Sequence, residues 1–435
     1  DNTANDAPHK SSFNNNSRTI VSVDRHELQK VSLLGKGNFC NVYLVTGSLQ
    51  LEHRPSSSSS SSPPVLLSQS QEQQHEQERQ LRKRKMYACK SLDLTHVRTT
   101  EELIVAATDL AIEAKVLAQL DHKNIIKLRG VCSEPFSTSF SIKQQEGYFL
   151  VLDVLTETLS QRLKRWKKDE ERVTKSMDQK NRSSRRPSFC TSQEDAVVVD
   201  KNNNDNEIDA VAKRTRMYDR TRNVVLGIAQ GMEYVASQGI VNRDLKPGNI
   251  GFEHNQSLSI VKLFDFGMAR PIQELCTDPQ EICGSPRYMA PEVMKGEGYS
   301  FKVDVYSFGI LLFEVCSLEV PFAMHYGSNN INNTKRLSDS SPSWWKRLLG
   351  KNRRGGKATN TMNKLNNVEE FYKQVIETEL RPSDGFQQQQ CYSSVLPCSK
   401  LRTLIAECWQ TNPLLRPSFQ DIVPRLEDIY DTNKQ

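Results

Sequence analysis

Ten cysteines are scattered over 435 residues without one Cys-x-x-Cys pair and without a His/Cys cluster at zinc spacing. That spacing excludes the common structural zinc modules. Cys89, Cys316 and Cys408 fall inside apolar patterns, as free thiols of a reducing compartment do, and not as a disulfide framework would. The sequence opens with Asp1-Asn2-Thr3-Ala4-Asn5-Asp6, which does not resemble a secretory leader, and since it does not begin with Met a leader ahead of Asp1 stays open. The longest apolar stretch, 303–324, is interrupted by Asp304, Glu314 and Glu319, so a buried helix is expected there instead of a membrane span. Nor is there a strong excess of one charge: the net charge is +6. The basic runs at 81–85 and 162–168 border polar segments and read as solvated linker ends or faces, which argues against a nucleic-acid binder. Together these absences predict an intracellular protein, cytoplasmic or also nuclear, with neither nucleic acid nor membrane as partner.

Apolar residues make up only 37 % of the chain, and they are unevenly spread. Residues 1–25 are rich in Asn, Ser and Asp and are expected to lack structure. Strand character begins at Leu28, Val31, Leu33 and Leu34, and resumes at 42–45 after a glycine-containing turn. A polar insertion of Ser, Gln and Glu then interrupts the pattern until 86–90. Ile104, Ala107, Leu110, Ala111, Ala114, Leu117 and Ala118 recur at helical spacing across 101–120, which gives one face to bury. Strand material returns at 125–128 and 148–154. The rest reads as mainly helical, with helices over 221–237, 303–318, 368–379, 398–409 and 419–428. Polar stretches separate them, and loop closure costs little more as such loops lengthen. Trp344-Trp345, in the longest of these stretches, invites docking on the body.

Several segments carry chemistry. Gly35-Lys36-Gly37-Asn38-Phe39-Cys40-Asn41-Val42 lies between two predicted strands, where glycines allow backbone to approach phosphate oxygens. This context differs from the dinucleotide fold, whose glycine turn opens a helix. Tyr87-Ala88-Cys89-Lys90 is a strand ending in lysine, and Glu113 on the following helix can pair with it. The most informative run is Val241-Asn242-Arg243-Asp244-Leu245-Lys246-Pro247-Gly248-Asn249, followed by Val261-Lys262-Leu263-Phe264-Asp265-Phe266-Gly267. A magnesium–triphosphate centre needs hard oxygen ligands, a positive charge and a carboxylate facing the acceptor hydroxyl. Asn249 and Asp265 offer the oxygens, Lys246 the charge and Asp244 the carboxylate.

These motifs, in this order, resemble the eukaryotic protein kinase family, as do Ala290-Pro291-Glu292, the run 304–309 and Leu415-Arg416-Pro417-Ser418-Phe419. The resemblance implies an α+β fold of two lobes, a small mainly antiparallel β lobe with one major helix and a larger helical lobe. It sets the kinase domain at 26–430, with an N-lobe at 26–152 (polar insertion 48–85) and a hinge at 153–155. The C-lobe then covers 156–430, with insertions at 167–212, 327–367 and 384–397. ATP and Mg²⁺ are the implied cofactors. Lys90, paired with Glu113, is implied to meet the α/β-phosphates, Asp244 to act as base or to orient the hydroxyl, and Lys246 to assist it. Gly35, Gly37, Val42, Ala88, Asp153 and Leu155 are implied to line the nucleotide, with Leu152 behind the adenine, and Asn249 and Asp265 to hold the metal. Asp304 is expected to brace the catalytic loop, Glu292 to pair with Arg416, and Leu117 and Phe266 to join an inter-lobe apolar stack.

Lys246, two residues after Asp244, and Ser285 in Gly284-Ser285-Pro286-Arg287-Tyr288-Met289 resemble serine/threonine enzymes acting on protein substrates. Tyr306 and the run 408–413 are similar to the tyrosine-kinase-like group, so a dual-specificity or tyrosine enzyme stays open. Two departures keep a third reading open, a pseudokinase scaffold or nucleotide sensor. Cys40 stands at the third glycine position of the loop. Asn242 replaces a histidine, keeping a hydrogen bond but less apolar volume, so reduced but real activity is expected. Arg243 before Asp244 implies control by an upstream kinase acting on the activation segment, with Thr277 as the acceptor. Ser188, in a flexible basic run, is a further candidate target. Cys276 and Cys283 flank the activation segment as two loop thiols.

Overall fold

Phe149–Leu152 (β6) is apolar at every position and buried at every position, because it has a core on each side. Leu150 and Leu152 join Ala88 in the main core, while Phe149 and Val151 join Tyr87, Cys89, Val23, Val45 and Cys132 in a smaller second one. This computed structural model describes residues 20–47 except 38, 85–134 except 94, 96 and 98, 147–184, 201–275 except 256–257, 282–323, 370–384, and 396–431 except 397; side chains are described outside 177–184, 201–210, 254–255 and 258.

Around β6 a six-stranded sheet forms from β1 (Val21–Val23), β2 (Leu28–Lys36), β3 (Cys40–Gly47), β4 (Lys85–Leu92) and β5 (Leu128–Cys132), in the order β1-β5-β6-β4-β3-β2. Its pairings are antiparallel except β1 on β5. β1 corrects the expectation that all of 1–25 lacks structure: Val23 is fully buried, and the backbone N–H of Ser133 donates to its carbonyl at 2.9 Å. Helix α1 (Thr100–Gln119) packs on the sheet through Ala106, Ala107, Leu110, Ala114 and Leu117. It starts where Thr99 accepts the Glu102 N–H at 3.2 Å, a side-chain cap for an orphan donor.

Beyond residue 153 the chain is mainly helical. Among the described residues its helices include α2 (Leu159–Ser184), α3 (Lys201–Ser237), α4 (Pro291–Lys295), α5 (Lys302–Ser317), α6 (370–377), α7 (Ser399–Cys408) and α8 (Phe419–Asp431). α5 is buried along nearly its whole length, which is why its sequence is apolar on all sides. Short strands β7 (Glu157–Thr158), β9 (Ile250–Asn255) and β10 (Leu258–Leu263) form one small sheet, and β8 (Ile240–Val241) with β11 (Arg270–Pro271) another. The main core runs without a break from Ala88 and Leu110 through Ile125 and Phe266 to α3, α5, α7 and α8.

The stretch 167–212, expected as a polar insertion, continues α2 to Ser184 and opens α3 at Lys201. Trp344-Trp345, Thr277, Cys276 and Ser188 lie outside the described residues. Among the described residues, no helix is long and apolar enough to cross a membrane.

Candidate active site

The β2–β3 hairpin, β4 and α1 make the upper wall of a cleft. Cross-strand register puts Gly35 opposite Val42, and Val42 opposite Lys90, in one row. Ala88, two residues before Lys90 and so on the same face, pairs with Leu152 of β6. Gly37 closes the turn by donating to the Cys40 carbonyl at 2.7 Å, and a Cβ there would meet that oxygen at 3.2 Å. Cys40 is no nucleophile in this setting: burial pushes its thiol up to about 11, against the pull of Lys90.

Lys90 donates to Glu113 at 2.5 Å and to Asp265 at 2.8 Å. Burial alone would lower the Lys90 pKa, but Asp265 and Glu113 outweigh it and hold the ammonium charged. For Asp265, burial would raise the carboxyl, yet the Lys90 charge prevails and keeps it ionised below the usual range. Glu113 is 1 % exposed and the Asp265 side chain 42 %, so of the two carboxylates it is Asp265 that opens to the cleft.

The lower wall is one hydrogen-bonded cluster. Lys246 Nζ donates to Asp244 Oδ2 at 2.6 Å and to Ser285 Oγ at 2.7 Å. Ser285 in turn donates to Asp244 Oδ1 at 2.8 Å. The amide nitrogen of Asn249 donates both to the Asp244 carbonyl and to Oδ2, each at 2.9 Å. Burial raises the Asp244 pKa, opposed by Lys246 and Ser285. Phe264 N–H donates to the Asn249 carbonyl at 3.0 Å, which sets Asp265 one residue beyond that contact.

The loop bearing Asp244 is held by backbone strain and its restraint together. Arg243 and Asp265 both adopt left-handed φ, 68° and 65°. Asp304 pins the first by accepting the N–H groups of Asn242 at 2.7 Å and Arg243 at 2.9 Å. Burial lifts Asp304 to about 6 in spite of those two donors. Gly284, at φ 112°, lets the activation segment approach; a Cβ there would lie 2.6 Å from the Arg243 carbonyl oxygen. Asn242 also uses its side chain, whose Oδ1 accepts the Asp244 N–H at 3.2 Å. Farther off, Arg416 grips Glu292 with two bonds, 2.6 and 2.8 Å, both residues buried. Leu117 and Phe266 both lie in the main core.

The donor set fits a hard divalent cation beside a triphosphate. Asn249 spends its amide nitrogen on Asp244, which turns its oxygen toward other partners, and Asp265 commits one oxygen to Lys90. The Asp153 carboxylate is bonded twice to Arg129 and its N–H to the Lys127 carbonyl, which leaves its own carbonyl for the expected nucleotide contact. Arg129 carried no signal in the sequence, since its partner lies 24 residues away. Leu155 packs over Gly251, where a Cβ would meet its Cδ1 at 2.6 Å.

A profile described as the protein kinase domain matches residues 167–425, more than half of the chain. A probable serine/threonine-protein kinase of Dictyostelium discoideum is 31 % identical over 211 residues, 48 % of this chain and 11 % of its own length. The serine/threonine-protein kinase VIK of Arabidopsis thaliana is 32 % identical over 216 residues, 48 % of this chain and 38 % of its own. The serine/threonine/tyrosine-protein kinase HT1 of the same plant is 41 % identical over 99 residues, 23 % of this chain and 24 % of its own. The chain thus spans well under half the length of these curated relatives. With the two-lobed fold, the lysine–glutamate pair under the glycine hairpin and the matched sequence in agreement, this chain belongs to the protein kinase family.

Proposed function

We propose that the protein transfers the γ-phosphoryl group of ATP, with Mg²⁺ as the divalent ion, to serine or threonine hydroxyls of protein substrates. The observation that carries this reading is the closed cluster of Asp244, Lys246, Ser285 and Asn249 at the cleft floor. Asn249 and Asp265 would hold a bound Mg²⁺, whose charge would neutralise the phosphates there. Asp244, whose two oxygens accept from Lys246, Asn249 and Ser285, orients the acceptor hydroxyl and takes up its proton. Lys246, beside it, stabilises the negative charge that gathers on the transferred group. Lys90, held charged by Glu113, positions the α/β-phosphates. A short alcohol acceptor must come close to Asp244, and the Lys246–Ser285 pair supports that over a longer phenol. The name of HT1 includes tyrosine, which makes the identity of the acceptor part of the test. An upstream kinase acting on the activation segment is the matching proposal for control, with Arg243 as the cation that a new phosphate would engage.

The test is transfer from [γ-³²P]ATP to a generic basic protein by the full chain and by Asp265→Asn, with phosphoamino-acid analysis. Transfer should fall at least about a hundredfold in the variant, and label should appear on serine and threonine. Undiminished transfer by Asp265→Asn overturns the metal assignment; label on tyrosine alone overturns the acceptor class; no transfer by the wild type favours a scaffold.

A further inference from the structure

The strand alternation that turns Ala88 and Lys90 into the cleft turns Tyr87 and Cys89 to the opposite face of the sheet. Asp153 follows Leu152 and sends its carboxylate to that opposite face, beside Tyr87, whose hydroxyl feels the charges of both Arg129 and Asp153. Arg129 Nε donates to Asp153 Oδ1 at 2.7 Å and its terminal nitrogen donates to Oδ2 at 2.9 Å, a fork meeting a fork. The position of Arg129 is itself unusual. β5 pairs Leu128 with Leu152 and Gly130 with Val151, so Arg129 is the extra residue of a register shift, and such a bulge re-aims a side chain.

The segment that carries Arg129 is anchored to the other lobe. Leu263 of β10 donates to the Asn124 carbonyl at 2.8 Å, and Ile126 donates back to Leu263 at 2.9 Å. The next carbonyl, that of Lys127, accepts the Asp153 N–H at 3.2 Å. Glu253 of β9, paired with Lys262 of β10 at 3.0 Å, also acts on the Arg129 charge. The first residue of the hinge is therefore held by backbone and by side chain, from a strand tied to the C-lobe.

We propose that Arg129 is a positioning residue for the nucleotide: by clamping Asp153 it fixes the direction of the backbone 153–155, the edge against which the adenine ring lies. The inference rests on the kinase reading above. Without the guanidinium, a carboxylate on a residue only 5 % exposed loses both donors and must turn toward water, carrying its peptide with it. A lysine at 129 keeps the charge but not the two-pronged geometry.

The test measures binding of two probes to the full chain by calorimetry, Mg·ADP and Mg·tripolyphosphate, alongside steady-state kinetics in ATP. Arg129→Met should weaken Mg·ADP about tenfold and leave tripolyphosphate within about twofold. KM for ATP should rise in parallel while kcat stays within about twofold. Arg129→Lys should fall between, and it carries the test alone if the Met variant does not fold. An unchanged Mg·ADP affinity overturns the proposal, and so does an equal loss for both probes, which a merely structural arginine would give. Failure of the wild type to bind Mg·ADP at all would instead overturn the kinase reading, so the two failures are told apart.

Discussion

Asp244 takes its backbone position partly from Asn242, whose Oδ1 accepts the Asp244 N–H at 3.2 Å. Deleting that acceptor in Asn242→Ala leaves a buried donor unsatisfied, at a cost of about 1 kcal/mol. Steady-state assay should show kcat reduced about fivefold with KM for ATP little changed. A histidine can accept at the same spacing, as His122 Nδ1 does from the Asn124 N–H at 3.2 Å, so the departure at 242 keeps this bond and gives up apolar volume. Glu314, on α5, accepts the Tyr288 hydroxyl at 2.5 Å, and burial pushes it up to about 7 against that bond and the Arg287 charge. The folded protein therefore holds a proton that the unfolded chain releases near pH 4.5. Its contribution to stability is full below that pH and is lost as pH rises through 7, on the order of 3 kcal/mol in all. Glu314→Gln keeps an acceptor for Tyr288 without the titration. Its urea midpoint should gain on the wild type between about pH 5 and 8. Asp304 shifts in the same sense but is common to both proteins, so parallel curves would remove Glu314 as the cause.

Helices α1, α5 and α7 were legible to within one residue at either end because each has an apolar face, or in α5 an apolar surround, that must be buried. The motif loops were legible for a different reason: their chemistry confines residue type at fixed spacing, as at Asp244, Lys246 and Asn249. The outer parts of α2 and α3 were not, since a helix polar on all sides gives no periodic signal. What steadies them is distant in sequence: Glu170 with Arg216 at 2.8 Å and Arg220 at 3.1 Å, and Lys167 with Glu319 at 2.7 Å. β1 was hidden by its brevity, and the Arg129–Asp153 clamp by the bulge that creates it. Element packing also makes a prediction at Gly309, where α5 crosses α7. A Cβ there would lie 2.7 Å from Cys408 Cβ and 3.3 Å from the Trp409 nitrogen. Gly309→Ala gains about 1 kcal/mol of helix propensity but overpacks a close crossing, which costs about 1–3 kcal/mol. Thermal unfolding should show a net loss, at about 2–4 °C per kcal/mol; a higher melting temperature would show that the helices can part there cheaply.

Among the described residues, backbone hydrogen bonds between 124–126 and Leu263 tie the lobes together, and two further kinds of contact join them. One is apolar and permanent, the core that runs from α1 through Ile125 and Phe266 into the C-lobe. The other is ionic and open to the cleft: Lys90 of β4 reaches Asp265, after β10, at 2.8 Å. Lys90 serves both Glu113 and Asp265, so under the proposed function a Mg·nucleotide held at Asp265 would take over a charge partner without leaving the lysine alone. Binding then links the lobes and appears as stability, about 2.7 kcal/mol at a ligand concentration one hundred times Kd. Thermal unfolding of the wild type should therefore rise with ADP, and further when Mg²⁺ is added. Asp265→Asn removes the charge proposed to hold the metal but leaves Lys90 paired with Glu113. Its response to metal-free ADP should survive and its Mg²⁺ increment should vanish. A Mg²⁺ increment equal to that of the wild type would mean that the ion is held elsewhere, and Asp265 would then be only a partner of Lys90.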